Sequence, residues 1–263
     1  MGDSDQITFT EGEFYQGHFD GRKYLNTFYR NLDGCEFFPF FLNHLNETFA
    51  SGNLKGSKLI EVGCGPTIYS LISASKCFEE IVVSDFTDSN RREIEKWLSN
   101  QEGCFDWLPT IQYVCELEGR RSPEEVERRL RQIMKQVLRC DVRQENPFHP
   151  LTMEPVDCVL SSLCLAAACK DMETYRLALR GIAALLKPGG TLVLTDVLNS
   201  SFYFVGQSRF SSLDISQSFI EETLRDLGFS IQQVNILATR KGDIETFKFD
   251  AEAFFYLVAQ KTK

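Results

Sequence analysis

The sequence predicts an α/β chain built on a mostly parallel sheet with helices on both faces, and three observations lead there. Short apolar runs alternate with amphipathic helical patterns between residues 58 and 228. The first of these runs closes on a glycine pair, and the chain ends on two adjacent extended stretches that suggest an antiparallel hairpin. Repeated strand–helix–strand order specifies parallel neighbours, whereas consecutive strands specify an antiparallel edge.

Taken in order, residues 11–50 are rich in aromatics and read as helical. They form the main part of a cap (1–55) ahead of the core (56–263) of a single domain. Residues 58–62 are the first strand, bounded by Gly63, and Pro66 is expected to open a helix. Residues 81–85 are the second strand, followed by a helix with Ile94, Trp97 and Leu98 on one face. Within 117–137, Ser122 and Glu125 form a capping box and Pro123 suits the first helical position. The stripe of that helix is Val126, Leu130, Ile133, Met134 and Val137. Strands at 156–160 and 191–195 are joined through a helix carrying Leu177, Leu179, Ile182 and Leu185. After Ser216 a helix with Phe219, Ile220, Leu224 and Leu227 stops at Gly228, and 229–237 with 254–259 form an antiparallel carboxyl edge.

Composition excludes several classes of function. Hydrophobic residues make up 43% and charged residues 25% of 263, an ordinary globular balance. The longest weakly polar run, 160–169, is far below the ~20 residues that a membrane-spanning helix needs. With 28 basic and 37 acidic side chains the net charge is −9, which argues against a nucleic-acid partner. Nine cysteines without C-x-x-C spacing, and three distant histidines (His18, His44, His149), read as neither a zinc cluster nor a disulfide framework, so no metal is expected. Residues 1–6 lack the pattern of a secretion signal, and Gln6 breaks the myristoylation pattern that Gly2 opens. The glycosylation triplets at Asn46 and Asn199 have no meaning without a secretory route. A cytoplasmic monomer is expected.

The chemistry concentrates in Ile60-Glu-Val-Gly-Cys-Gly-Pro-Thr-Ile-Tyr69. Gly63 and Gly65 allow a sharp turn and close approach of a ligand where the first strand ends, the usual nucleotide crevice of doubly wound sheets. A dinucleotide fingerprint would need a third glycine where Ile68 stands, and no P-loop lysine is present. Asp85 ends the second strand 22 residues after Gly63, near the offset at which an acid meets ribose hydroxyls. Its alternative role is to cap the helix that begins at about Asp88. In Cys140-Asp-Val142 the carboxylate suits an adenine amino group and the valine its ring face, although Asp141 alone also reads as a turn residue. Glycine loop, ribose acid and adenine acid in this order describe an adenosyl ligand without phosphates. S-adenosyl-L-methionine fits that description better than NAD.

Together with Glu95-Lys-Trp-Leu98, Phe105-Asp-Trp107, Cys115-Glu-Leu-Glu-Gly119, Leu138-Arg-Cys-Asp-Val142 and Leu185-Leu-Lys-Pro-Gly-Gly190, the glycine motif resembles the small-molecule amine N-methyltransferase family. That family groups nicotinamide, indolethylamine and phenylethanolamine N-methyltransferases, and the resemblance runs from about His18 to Lys261, closest to the nicotinamide-methylating pattern. It implies a Rossmann-like class I S-adenosylmethionine-dependent methyltransferase, with a seven-stranded, mostly parallel sheet, an antiparallel carboxyl-terminal edge and a helical cap. By motif position, Tyr24 and Tyr29 should close over the cofactor, and Gly63, Gly65, Tyr69, Asp85, Asn90, Asp141, Val142 and Ser162 should line it. Aromatic faces favour a sulfonium or a quaternised nitrogen by about 0.5–2 kcal/mol each. An ordinary apolar helix face is the plain alternative for Tyr24, Phe28 and Tyr29.

For the acceptor, the resemblance implies that Asp196 and Ser212 hold a carboxamide and that Tyr203 forms an aromatic wall, with Phe28 and Leu163 beside them. Ala166 stands where nicotinamide-type relatives bear an aspartate, which is expected to leave the pocket one carboxylate poorer. Asp250 is a candidate partner for a protonated amine. The expected reaction is N-methylation of nicotinamide or a similar pyridine. Arylalkylamine N-methylation or thioether S-methylation is the alternative, and an idle cofactor-binding protein the remote one. Tyr24 and Asp196 would position the reactants without a general base, and such positioning is worth ~7–11 kcal/mol.

Overall fold

The computed structural model describes residues 9–50, 52, 54–119 and 121–262, so residues 1–6, on which the targeting expectation rests, lie outside the described residues. The cap consists of α1 (Gly12–His18), α2 (Gly21–Phe28) and α3 (Phe37–Ala50). Helix α2 begins where the Asp20 carboxylate accepts from the Lys23 backbone N–H at 3.0 Å. Helix α3 buries Phe37, Phe38, Phe41, Leu42, Leu45 and Phe49. The Phe37 ring stacks on Phe254 at 4.8 Å, which fastens the cap to the last strand of the chain.

The core follows as β1 (Gly56–Val62), β2 (Phe78–Asp85), α4 (Asp88–Leu98), α5 (Leu108–Glu118), α6 (Pro123–Ile133), β3 (Met134–Arg139), β4 (Val156–Ser162), α7 (Leu165–Ala168), α8 (Met172–Ala184) and β5 (Leu186–Leu198). It closes with β6 (Phe202–Val205), β7 (Ser208–Ser211), α9 (Gln217–Asp226), β8 (Phe229–Ala238), α10 (Lys241–Phe247) and β9 (Ala253–Lys261). Seven strands form one sheet in the order β3-β2-β1-β4-β5-β9-β8, while β6 and β7 form a separate hairpin. Strands β3 to β5 are parallel through β2, β1 and β4, and β9 runs antiparallel to both β5 and β8. Alternate residues of the central strands enter two cores. Leu59 joins the cluster under α3–α6, and Ile60 and Val62 join the one under α8 and α9. Strand order reverses beside β1, which opens a crevice at the carboxyl ends of β1 and β4.

Two expectations change. Pro66 does not open an α-helix; two short 3-10 turns, Tyr69–Leu71 and Ala74–Lys76, follow instead. Between them the Ile72 carbonyl accepts from side chains instead, Ser75 Oγ at 2.6 Å and Arg121 Nη2 at 3.1 Å. The capping-box helix ends at Ile133, and Met134 and Val137 lie on β3. There they pair with Ile81 and Val83, giving the outer edge of β2 a hydrogen-bonded neighbour. Helix α5 and the β6–β7 hairpin were not read from the sequence at all.

Candidate functional site

The loop after β1 turns through two left-handed residues, Gly63 at φ +70° and Gly65 at φ +59°. A Cβ on Gly63 would lie 2.0 Å from Cys164 Sγ, so a larger residue would have to displace that side chain. The turn presents the Gly65 N–H to Asp85 Oδ2 at 2.9 Å. The other oxygen, Oδ1, accepts from Thr87 N–H, Thr87 Oγ1 and Asn90 Nδ2 at 2.9, 3.0 and 2.9 Å. Burial pushes the Asp85 carboxyl up, and these donors pull part of the way back. Capping of α4 falls to Thr87, whose Oγ1 accepts from Asn90 N–H, so Asp85 serves the crevice.

A cavity of about 180 Å³ lies between this loop and the cap. Gly63, Gly65, Asp85, Asn90, Asp141 and Val142 line one end. Burial raises the Asp141 carboxyl, but its bonds from Arg143 more than offset that and hold it below the ordinary range. The Asn90 amide oxygen is buried and has no hydrogen-bond partner among the described residues. Arg143 is the only basic residue lining the cavity among those described, and it is paired with Asp141, which leaves no cation for a phosphate. Carboxylates beside a glycine turn suit hydroxyl and amino groups, which is the chemistry of an adenosyl ligand.

Aromatic residues line the middle. Tyr24 and Tyr29 hydroxyls lie 3.2 Å apart, Tyr29 stacks on Tyr69 at 5.3 Å, and the Tyr69 hydroxyl bonds Ser162 Oγ at 2.6 Å. Tyr24 and Phe28 rings lie 5.0 Å apart. Burial pushes the Tyr24 phenol up to about 12, so it stays neutral. The Tyr15 and Tyr203 hydroxyls share a short hydrogen bond that joins α1 to β6.

On another wall of the cavity, Asp196 is 1% exposed. It accepts from the backbone N–H groups of Ala166 at 2.8 Å and Val197 at 3.0 Å. Burial raises its carboxyl to about 7. Ser212 Oγ is buried without a partner among the described residues, and Leu163, at φ +52°, completes this wall. Both Asp196 and Ser212 line the cavity.

Two predicted acceptor contacts lie elsewhere. Ala166 does not line the cavity; it is 1% exposed in the core beneath α8. Asp250 does not line it either. Its carboxylate accepts from Ser200 Oγ at 3.0 Å, Ser201 N–H at 2.8 Å, Phe202 N–H at 3.0 Å and the Ser201 hydroxyl. It ties the 200–202 turn to the segment between α10 and β9, a demand set by the N–H groups of that turn. Tyr15, Thr87, Arg143 and Cys164 line the cavity and were not singled out from the sequence. Only Thr87 carried a readable signal, as a threonine just before a helical pattern.

A family model described as the NNMT/PNMT/TEMT family matches residues 6–262. The chain is 42% identical to nicotinamide N-methyltransferase of Homo sapiens, covering 96% of this chain and 97% of the relative. It is 44% identical to indolethylamine N-methyltransferase of Oryctolagus cuniculus, covering 86% and 88%. Among solved structures, magnesium protoporphyrin IX methyltransferase from Synechocystis PCC 6803 with bound SAM matches with a TM-score of 0.56 at 15% identity, covering 97% and 99%. At that identity the likeness concerns the fold alone.

Proposed function

The chain belongs to the NNMT/PNMT/TEMT family, and from that premise we propose that it methylates the ring nitrogen of nicotinamide or a similar pyridine carboxamide, with S-adenosylmethionine as donor. When bound, the cofactor supplies an electrophilic methyl group. Asp85 holds the ribose hydroxyls, Asp141 and Val142 hold the adenine, and the Gly63–Gly65 turn lets the ligand lie against the backbone. Tyr24, Tyr29 and Tyr69 place aromatic faces around the sulfonium and keep water from it.

One observation carries the choice of acceptor. Asp196 offers a fixed carboxylate and Ser212 a hydroxyl without a partner, both on the cavity wall. A carboxamide satisfies both: its NH2 donates to Asp196, and its oxygen accepts from Ser212. An acceptor lacking that group leaves the buried Ser212 hydroxyl unpaired, which costs binding. A pyridine nitrogen carries no proton at neutral pH, so holding the ring in line with the methyl is the whole of the protein's task. An alkylammonium would first have to lose a proton, and the arylalkylamine reading has no help from Asp250, which is bonded to the 200–202 turn.

The test is methyl transfer from labelled S-adenosylmethionine across nicotinamide, quinoline, tryptamine, phenylethanolamine and a thioether. Nicotinamide is expected to give the largest kcat/KM. A preference for tryptamine or phenylethanolamine by tenfold or more would replace this reading with the arylalkylamine one.

A further inference from the structure

We propose that Arg143 is a specificity-determining residue that seals the adenine end of the cavity and excludes substituents on the adenine amino nitrogen. The inference rests on the assignment of Asp141 and Val142 to the adenine. Arg143 Nε and Nη2 meet Asp141 Oδ1 and Oδ2 at 2.9 and 3.0 Å, and the Arg143 backbone N–H adds a third bond to Oδ1 at 3.1 Å. A planar guanidinium lying along both oxygens fixes the plane of the carboxylate and takes up its outer lone pairs. The Gln144 side chain bonds the same carboxylate.

A wall stands behind that carboxylate. The guanidinium carbon of Arg143 lies 5.2 Å from the centroid of Phe86, and both residues line the cavity. The cap comes down on this pair at Gly12: a Cβ built there would lie 2.8 Å from Arg143 Nη2 and 2.9 Å from Phe86 Cζ. The α1 backbone therefore packs against both side chains at Gly12, with no room at that position for even a methyl group. An unsubstituted adenine amino group gives one N–H to Asp141 and turns the other toward this wall. A methyl on that nitrogen would have to displace the guanidinium or lift the cap.

The experiment is calorimetric binding of S-adenosylhomocysteine and of its N6-methyl analogue to the full chain, as wild type, Arg143→Ala and Arg143→Met. The wild type should prefer the unsubstituted ligand by about tenfold or more, and both variants should bring the ratio below about threefold. Loss of fold or of the salt bridge alone would weaken both ligands together, so the ratio isolates the wall. Arg143→Met keeps much of the bulk and apolar stem, which guards the test should the alanine variant fail to fold. A ratio unchanged in a folded variant overturns the proposal, as does a wild type that binds both ligands alike. A wild type that binds neither overturns the cofactor assignment, and the proposal with it.

Discussion

The Ala166 backbone N–H donates to Asp196 Oδ2 at 2.8 Å, while the carbonyl of the same residue accepts from Leu213 N–H at 2.7 Å. Both members of the proposed carboxamide pair are thus held by one residue's main chain, Asp196 directly and Ser212 through its neighbour. Position 166 shapes the acceptor end without lining it.

An aspartate at 166 therefore enters an apolar core rather than the pocket. Ala166→Asp is expected to lower the unfolding free energy by about 1–3 kcal/mol, measured by urea denaturation. The ratio of kcat/KM for nicotinamide to tryptamine should stay within about threefold of wild type. A tenfold rise in that ratio would place the side chain in contact with the acceptor.

Asp196 should govern two pH dependences of opposite sense. Its folded acid, raised to about 7 by burial, holds a proton more tightly than the unfolded chain does. The stability it contributes is complete below the unfolded value and is lost as pH rises through about 7. Asp196→Asn should therefore show a smaller fall in Tm between about pH 5 and pH 8 than wild type. Glu61, raised to about 8 by burial, titrates in both proteins and cancels in the difference. Wild-type kcat/KM for nicotinamide should rise through about pH 7 as Asp196 ionises, and the variant's profile should be flat and roughly tenfold to a hundredfold lower at pH 8.

Removing the Asp85 carboxylate takes away the partners of Gly65, Thr87 and Asn90 as well as those assigned to the ribose. Asp85→Ala should weaken S-adenosylmethionine by about 3 kcal/mol, roughly a hundredfold in Kd by calorimetry. Unchanged affinity would contradict the ribose assignment.

Gly63→Ala combines a left-handed backbone with a collision at 2.0 Å against Cys164 Sγ. Cofactor binding should be lost at concentrations that saturate wild type. Adding Cys164→Gly removes the collision and leaves only the backbone cost of about 1–2 kcal/mol, so affinity should partly return. No recovery would show that the collision is not the cause.

The cap is latched to the β6–β7 hairpin by Thr10 N–H to Ser211 Oγ and Ser211 N–H to Thr10 Oγ1, both at 2.8 Å, and by the Tyr15–Tyr203 hydroxyl pair. Hydrogen exchange across residues 11–30 should slow when S-adenosylhomocysteine and nicotinamide are added. Tyr203→Phe should diminish that slowing, and equal protection with and without ligands would make the segment a permanently packed wall.

Local physics made much of the site readable. The glycine turn after β1 and the acid closing β2 follow from backbone constraints and from spacing, and the structure brings Gly65 and Asp85 to 2.9 Å. Neighbours distant in sequence were not readable. Tyr15 meets Tyr203 across 188 residues, and Cys164 reaches Gly63 from the other side of the sheet's switch point. Asp250 shows the same limit. A carboxylate in a loop looks available until the turn that consumes it is in place.

Periodicity and turn chemistry, which act over a few residues, determined the alternation of strands and helices, the adenosyl character of the ligand and the antiparallel carboxyl edge. Tertiary structure alone decided where α6 yields to β3. Met134 and Val137 fit the stripe of a continuing helix, and only the open edge of β2 turns them into a strand. It alone decided, too, that Ala166 acts through its main chain and that Arg143 stands beside Asp141. Burial and partner geometry depend on chain segments far apart in sequence, and those meet only when the sheet is assembled.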